Sequence, residues 1–279
     1  MTTPPASSHA SSPTSPPATR PPIKDPRVVP VAGTDAHLPA VPLDRLTAAW
    51  LRERFLNPPA NAIDPEIPGD GGVFPGRNTT QAAVLVPLVE RPSGLHVLLT
   101  QRTAHLRDHA GQVSFPGGRA EPEDGSPERT ALREAEEEIG LDERFVDLIG
   151  QLPVYRTVTA YEVTPVVALI RPGFSLRLDA FEVAEAFEVP LAFLMDPAHH
   201  QRHLFEYELP VGPDASNASD AAGPLMGRRQ FLSMPWTGPG LAMSNADPAV
   251  GLMASESKEF FIWGATAAML RNLYRFLQV

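Results

Sequence analysis

The chain has 279 residues, of which 43% are hydrophobic, and it contains no cysteine. This length suffices for one sizeable globular domain, and the lack of cysteine excludes disulfides, thiolate metal sites and cysteine nucleophiles. The formal net charge of -10 argues against nucleic acid or an anionic membrane as a partner, because both attract basic surfaces.

The N-terminal segment and the hydropathy pattern bear on where the protein resides. No apolar run approaches the roughly 20 residues of a membrane-spanning helix, and the N-terminus lacks the layout of a secretory signal. We therefore expect a cytoplasmic protein. Residues 1–42 are rich in Ser and Pro and poor in large apolar side chains, which predicts a disordered tail before a folded domain at 43–279.

The first half of that domain alternates between helix and strand patterns. Residues 43–55 carry apolar side chains at helical spacing, and two prolines follow that end a helix. Residues 81–89 and 95–100 predict two strands joined by a turn that contains proline and glycine. Further strands are predicted at 145–152 and 163–170.

The second half is more irregular. Residues 180–186 are predicted to form a loop or a short helix, and two stretches rich in Gly, Pro, Ala and Ser, 210–226 and 235–256, are predicted to be long loops or insertions. Residues 260–277 predict a closing helix with Arg271 and Arg275 on its polar side. The interleaved elements indicate an α/β or α+β fold.

One stretch, GGRAEPEDGSPERTALREAEEEIGL at residues 117–141, carries the chemical information. Ser126 suits a helix N-cap, Pro127 suits the first helical position, and Gly140 suits the left-handed residue that ends a helix. A helix over 127–139 follows from these signals.

Three carboxylates share one face of that helix. Glu134, Glu137 and Glu138 fall within roughly 100° of one another at the helical period. Such a cluster is either a solvated acidic face or an oxygen-ligand site for Mg²⁺ or Mn²⁺, with Arg133 placed to hold a glutamate by a bidentate bond. In the second case metal-assisted attack of water on phosphorus fits, with a spare carboxylate as the base.

The segment REAEEEIG at 133–140, behind Gly117 and Gly118, resembles the box of the Nudix hydrolases. In the loop half of this box the acidic residue is Asp124 instead of glutamate, and the loop is one residue longer than in the generic box. That difference resembles the coenzyme A diphosphatase branch of the family.

A second motif upstream also resembles that branch. It comprises LLTQR at 98–102, then Thr103, Arg107, Gly111 and FPGG at 115–118. Thr103 stands where the branch has serine or alanine. The segment FIWGATA at 261–267 is similar to the same branch.

The resemblance implies a Nudix fold, with a mixed sheet between helices, that hydrolyses coenzyme A or its derivatives to 3',5'-ADP and 4'-phosphopantetheine with Mg²⁺ or Mn²⁺. The implied metal ligands are Glu137 and Glu138, joined by the Gly118 carbonyl. Glu134 is implied as a further ligand or as the base that activates water, with Glu182 and Glu185 as alternative acidic residues.

The expected catalytic residues are Glu134, Glu137 and Arg133. The expected substrate-binding set is Arg102, Arg107, Gly117, Gly118 and Arg119. Two alternatives stay open: a Nudix enzyme for another substrate, such as ADP-ribose, a dinucleotide or a nucleoside triphosphate, and a catalytically silent binding module. The expected partner is a small molecule, and a homodimer is left open.

Overall fold

The computed structural model describes residues 23, 25–60, 79–106, 109–157, 159–208, 226–243 and 252–279. Its helices are α1 (Ala48–Leu56), α2 (Pro127–Ile139), α3 (Leu191–Leu194) and α4 (Gly264–Gln278). Short 3-10 helices lie at Pro26–Val28, Leu43–Arg45, Glu143–Phe145 and Pro197–His199. The strands are β1 (Val31–Thr34), β2 (Thr80–Arg91), β3 (Gly94–Arg102), β4 (Val113–Ser114), β5 (Gly117–Arg119), β6 (Val146–Gln151), β7 (Tyr155–Arg156), β8 (Tyr161–Ile170), β9 (Val183–Pro190), β10 (Gln201–Glu208), β11 (Met226–Gly238), β12 (Gly240–Met243), β13 (Leu252–Ala254) and β14 (Lys258–Trp263). None of these helices is long and apolar enough to cross a membrane.

The strands form two sheets. The larger sheet has the order β13-β12-β9-β3-β2-β8-β6, and β4, β5 and β7 attach to β3, β2 and β8. Strands β2 and β8 run parallel, whereas the other pairs are antiparallel, so this sheet is mixed. The smaller sheet has the order β1-β10-β11-β14 and is antiparallel throughout.

Both faces of the larger sheet are covered by helices. Successive side chains of a strand point to opposite faces, and in β2 Leu85 and Val89 pack with the apolar face of α2. Val86 and Leu88 belong to the core on the other face, which includes apolar side chains of α1 and α4. The predicted mixed sheet between helices is confirmed, and it gives α2 a rigid support.

Several predicted elements are present with small shifts. The hairpin of β2 and β3 and the strands β6 and β8 lie where the pattern placed them, and α2 has the predicted bounds of 127–139. The helix predicted at 43–55 is divided into the 3-10 turn Leu43–Arg45 and α1, which Thr47 caps by accepting a hydrogen bond from Trp50 N–H.

The structure differs from the predicted disordered tail at residues 25–42, whereas residues 1–22 lie outside the described part. Strand β1 pairs with β10, and Asp35 is fully buried in ion pairs with Arg202 and Arg271. All four residues of β1 are exposed. Backbone hydrogen bonds and a buried ion pair therefore order this segment. Neither interaction can be recognised from the content of apolar residues, on which the prediction of disorder was based.

The prediction of a loop or short helix at 180–186 was wrong at its C-terminal half, because β9 begins at Val183. The strand pairs with β3 along its length. Its acidic residues obscured the strand pattern, since Glu188 is paired with Arg91 of β2 and Glu185 with Lys258 of β14, and neither strand is adjacent to β9.

The prediction of a long loop at 235–256 was also wrong where the structure describes it, whereas the loop predicted at 210–226 lies outside the described residues except for Met226. Strands β11 to β13 cover most of 235–243 and 252–254. Pro235 is tolerated inside β11 because β10 pairs only as far as Ser233, so the edge beside the proline carries no second strand.

The closing helix starts later than predicted. Residues 260–263 belong to β14, and α4 begins at Gly264. Arg271 was predicted on the polar side of this helix, but it is 2% exposed and pairs with Asp35 at 3.1 Å. Arg271 therefore lies on the buried face of the helix, because its ion pair with Asp35 compensates its charge.

Candidate active site

Helix α2 presents the carboxylates, and its ends are fixed by local chemistry. The Ser126 hydroxyl accepts a hydrogen bond from Arg129 N–H, and Gly140 adopts the left-handed conformation at φ 64°. Ala131, Ala135 and Ile139 are buried against the larger sheet. The neighbouring face of the helix therefore carries its glutamates along the edge of the core.

The three glutamates of that face differ in burial. The side chain of Glu138 is 5% exposed, that of Glu134 is 16% exposed and that of Glu137 is 60% exposed. The exposure of the carboxylates thus increases from Glu138, which is buried, to Glu137, which lies at the surface.

Glu138 has few partners for a buried carboxylate. It accepts a hydrogen bond from Gly117 N–H at 3.2 Å, and Arg102 Nη1 lies 3.5 Å from its other oxygen. Burial raises the pKa of Glu138 to about 8, against the opposing effects of Gly117 and Arg102. Burial also raises the pKa of Glu134, although Arg133 opposes the shift. Both groups therefore lack sufficient positive charge nearby.

Arg133 links the helix to the preceding loop. Its Nε and Nη2 donate to the two oxygens of Asp124 at 2.9 and 3.1 Å. It also lies 2.9 Å from a Glu137 oxygen and 3.0 Å from a Glu134 oxygen. The hydrogen bonds from Arg133 hold the pKa of Asp124 well below its usual range. The expected bidentate bond thus goes to Asp124, and the glutamates receive single contacts.

Two adjacent glycines of β5 border the carboxylates. A Cβ on Gly118 would lie 2.5 Å from Glu134 Oε1, so this side chain rests directly on the Gly118 backbone. Gly117 has a φ of +153°, and a Cβ there would lie 2.5 Å from the Ala83 carbonyl oxygen. Glycine is therefore required at position 117 by the close approach of β2 and at position 118 by the close approach of Glu134 from α2.

The two late acidic candidates occupy different surroundings. Glu185 is 3% exposed and is held by the Lys258 ammonium and the Ser255 hydroxyl. Glu182 lies in a turn whose backbone accepts a hydrogen bond from Thr103 N–H at 3.0 Å, and its charge contributes to raising the pKa of both Glu134 and Glu138. Only Glu182 belongs to the α2 cluster.

The donor set of this cluster consists of oxygen atoms and carries excess negative charge. Among the described residues no three acidic or imidazole side chains already converge on a single point. In the described part of the chain, the carboxylates of Asp124, Glu134, Glu137 and Glu138 nevertheless pair with the guanidinium groups of Arg102 and Arg133, and Glu182 adds a further negative charge. A hard divalent cation fits such a set.

A cleft of about 450 Å³ opens beside β5. Its lining includes Arg102, Gly117, Gly118 and Arg119 of the predicted substrate-binding set, whereas Arg107 lies outside the described residues. The other lining residues come from several elements: Ala82, Val84, His109, Gln112, Val113, Ser114, Phe115, Thr157, Thr159, Tyr161, Val163, Arg229, Trp263, Gly264, Ala265, Thr266 and Met269.

Arg229 is the charged cleft residue that sequence reasoning missed. It follows a segment without periodic pattern, and it reaches the cleft from the smaller sheet. The alternation of strand faces could have indicated its position, because Arg229 shares a face of β11 with the buried Phe231 and Ser233.

Comparison with known proteins gives the family. A family model described as NUDIX domain matches residues 79–208. A protein named "Uncharacterized Nudix hydrolase NudL" from Escherichia coli K12 is 53% identical over 197 residues, which cover 70% of this chain and 82% of that protein. The protein of the same name from Shigella boydii serotype 18 matches with the same identity and coverage.

Solved structures are similar over smaller parts. A Nudix hydrolase from M. Smegmatis, RenU, is 25% identical and covers 43% of this chain and 76% of its own, with a TM-score of 0.37. A MutT/nudix family protein from Enterococcus faecalis is 16% identical and covers 74% of this chain and 63% of its own, with a TM-score of 0.35. Because these TM-scores are low, the family assignment depends on the sequence relatives. With 53% identity to a relative aligned over 82% of its length, this chain belongs to the Nudix hydrolase family.

Proposed function

We propose that this Nudix hydrolase cuts the diphosphate bond of coenzyme A or its derivatives, releasing 3',5'-ADP and 4'-phosphopantetheine or its acylated form. The observation that carries the proposal is the position of Arg102, a residue of the upstream motif that resembles the coenzyme A diphosphatase branch. Arg102 lines the cleft and lies 3.5 Å from Glu138 of the Nudix helix. The motif that points to the substrate and the motif that points to the chemistry thus meet in one site.

Nudix hydrolases generally use divalent metal ions, and we propose Mg²⁺ or Mn²⁺ here. Glu134, Glu137 and Glu138 would hold the metal, with the Gly118 carbonyl as a further ligand. A bound cation supplies charge neutralisation at the diphosphate and lowers the pKa of bound water.

The protein's own groups have separate roles in this proposal. Arg133 is a positioning residue, because its bonds to Asp124, Glu134 and Glu137 fix the carboxylates relative to the loop. Glu134 remains either a ligand or the base. Glu182 is favoured over Glu185 as a second acidic group, since Glu185 is already engaged with Lys258 and Ser255.

The substrate is proposed to lie along the cleft with its diphosphate at Gly117 and Gly118. Arg102 and Arg119 border these glycines and supply guanidinium groups, which match the geometry of phosphate oxygens. Arg107 is assigned to the same task from the motif alone.

The decisive test is product analysis by chromatography with Mg²⁺ or Mn²⁺. Coenzyme A, ADP-ribose, diadenosine polyphosphate and nucleoside triphosphates are incubated separately with the protein. Release of 3',5'-ADP from coenzyme A, with the other compounds intact, is the expected result. Cleavage of another diphosphate instead would replace the substrate but keep the chemistry, and no cleavage at all would favour a binding module.

The Glu137→Gln variant tests whether Glu137 is a metal ligand. Glu137 is largely exposed, so its loss leaves folding nearly unchanged. We expect turnover to fall by roughly two orders of magnitude or more, because a metal ligand is removed. Full activity in this variant would remove Glu137 from the metal site.

A further inference from the structure

The charge of the cleft is opposite to that of the whole protein. The chain has a formal net charge of -10, yet the described residues that line the cleft include three arginines and neither Asp nor Glu. Arg102 and Arg119 lie at the Gly117–Gly118 border. The third, Arg229, comes from β11 of the smaller sheet.

Arg229 differs from its neighbour Arg228 in its surroundings. Arg228 points outward and pairs with Glu206 at 2.9 Å, with 71% of its side chain exposed. Arg229 is half-buried and lines the cleft. Among the described residues no carboxylate pairs with Arg229, whereas a half-buried guanidinium is normally matched by an anion.

The cleft wall near Arg229 is well packed. Phe231, on the same strand face, contacts Trp263 edge-on with ring centroids 5.6 Å apart, and Trp263 also lines the cleft. The strand position of Arg229 is thus fixed by a packed aromatic pair, which favours a preformed site over a mobile surface charge.

We infer that Arg229, with the wall at Trp263, forms a subsite for a phosphate monoester of the substrate, separate from the diphosphate that is cut. This inference rests on the proposed function, which assigns the diphosphate to Gly117 and Gly118 between Arg102 and Arg119. A phosphate monoester carries a charge of about -1.5 to -2 near pH 7. A nucleotide with a phosphate on its ribose in addition to its diphosphate provides that group.

A binding experiment isolates the subsite from catalysis. Isothermal titration calorimetry at one ionic strength compares 3',5'-ADP with 5'-AMP, which differ by one phosphate monoester. It is applied to the wild type, to Arg229→Gln and to the control Arg228→Gln. We expect the wild type and the control to bind 3',5'-ADP about 10- to 100-fold more tightly than 5'-AMP, as charge-assisted hydrogen bonds imply.

In Arg229→Gln the preference should fall to about threefold or less, with an unchanged affinity for 5'-AMP. The inference is overturned if the wild type shows no preference, if the variant keeps it, or if both affinities fall equally. An equal fall would mean that Arg229 supports the fold or binds the part that both nucleotides share.

Kinetics distinguish failure of the subsite from failure of the proposed function. With coenzyme A as substrate, Arg229→Gln should raise KM about tenfold or more and leave kcat nearly unchanged. With dephospho-coenzyme A, which lacks the ribose phosphate, the variant and the wild type should agree. If the wild type cuts neither compound, the proposed function fails, and the nucleotide-binding preference still decides the subsite.

Discussion

The adjacent glycines of β5 should respond differently to the same substitution, since different groups approach them. A Cβ on Gly117 would meet the backbone, 2.5 Å from both the Ala83 carbonyl oxygen and Val84 Cα, at a φ of +153°. Backbone strain costs on the order of 1–3 kcal/mol, and overpacking against a fixed strand adds roughly 1–3 kcal/mol. Gly117→Ala should therefore lower the free energy of unfolding by about 2–6 kcal/mol.

Gly118→Ala should instead affect catalysis. The new Cβ would meet the end of a flexible side chain, 2.5 Å from Glu134 Oε1, and the carboxylate can rotate away. Stability should change by less than about 1 kcal/mol. If Glu134 has the role proposed above, displacing its carboxylate by about 1 Å should lower turnover by roughly 100-fold.

The assay pairs thermal unfolding with steady-state hydrolysis of coenzyme A for both variants. Gly125→Ala is the matched control, because Gly125 has a φ of +71° with no atom within 4 Å of its Cβ position. It isolates the cost of the backbone conformation. The Tm should fall by at least about 4 °C in Gly117→Ala. If Gly118→Ala is as unstable as Gly117→Ala, or retains full turnover, the assigned packing of Glu134 on β5 is incorrect.

Three further predictions concern buried charges. Because the pKa of Glu138 is raised to about 8 in the folded protein, the metal-free protein should lose stability as pH rises from about 4.5 to 8. Thermal unfolding in EDTA should show a larger loss in the wild type than in Glu138→Gln, because the raised pKa of Glu134 contributes to the loss in both. Because burial lowers the pKa of His200 to about 4, stability should decline as pH falls from about 6.5 to 4, and His200→Asn should have a flatter acid limb in the same measurement. Asp35→Asn removes the charge of a carboxylate that pairs with the buried Arg271 and should cost about 3–5 kcal/mol in urea unfolding. Glu206→Gln, which breaks an exposed pair, should cost less than about 1 kcal/mol; equal costs would show that the Asp35 pair is not buried in solution.

Helix α2 could be predicted with its bounds because every signal that defines it is local. Ser126, Pro127 and Gly140 fix the ends, and the helical period alone separates the apolar face from the glutamates. Strand β9 could not be predicted, since Glu185 and Glu188 are stabilised by Lys258 and Arg91 from other strands. From sequence alone, a buried glutamate is taken for a residue of an exposed loop, because its cationic partner lies far away in the chain.

The same distinction applies to the site. The spacing of the glutamates indicated a cluster, but not that Glu138 is buried whereas Glu137 is exposed. That order depends on how closely β5 and β3 approach the helix, and it follows from long-range packing. Arg229 was missed for the same reason, because the smaller sheet brings it to a cleft built mostly by the larger one.

The two glycines of β5 lie between the acidic cluster and the cleft that contains the arginines. Gly117 donates its N–H to Glu138 of the acidic cluster, and both glycines line the cleft that contains the arginines. Because these glycines have no side chains, the acidic cluster lies close to the cleft, and Arg102, which lines the cleft, lies 3.5 Å from Glu138. In the proposed reaction the arginines of the cleft would bind the diphosphate and the glutamates would hold a cation that neutralises its charge, although the net charge of the chain disfavours any anion. The local field at β5, and not the charge of the protein, is therefore what selects a polyanionic substrate in the proposed reaction.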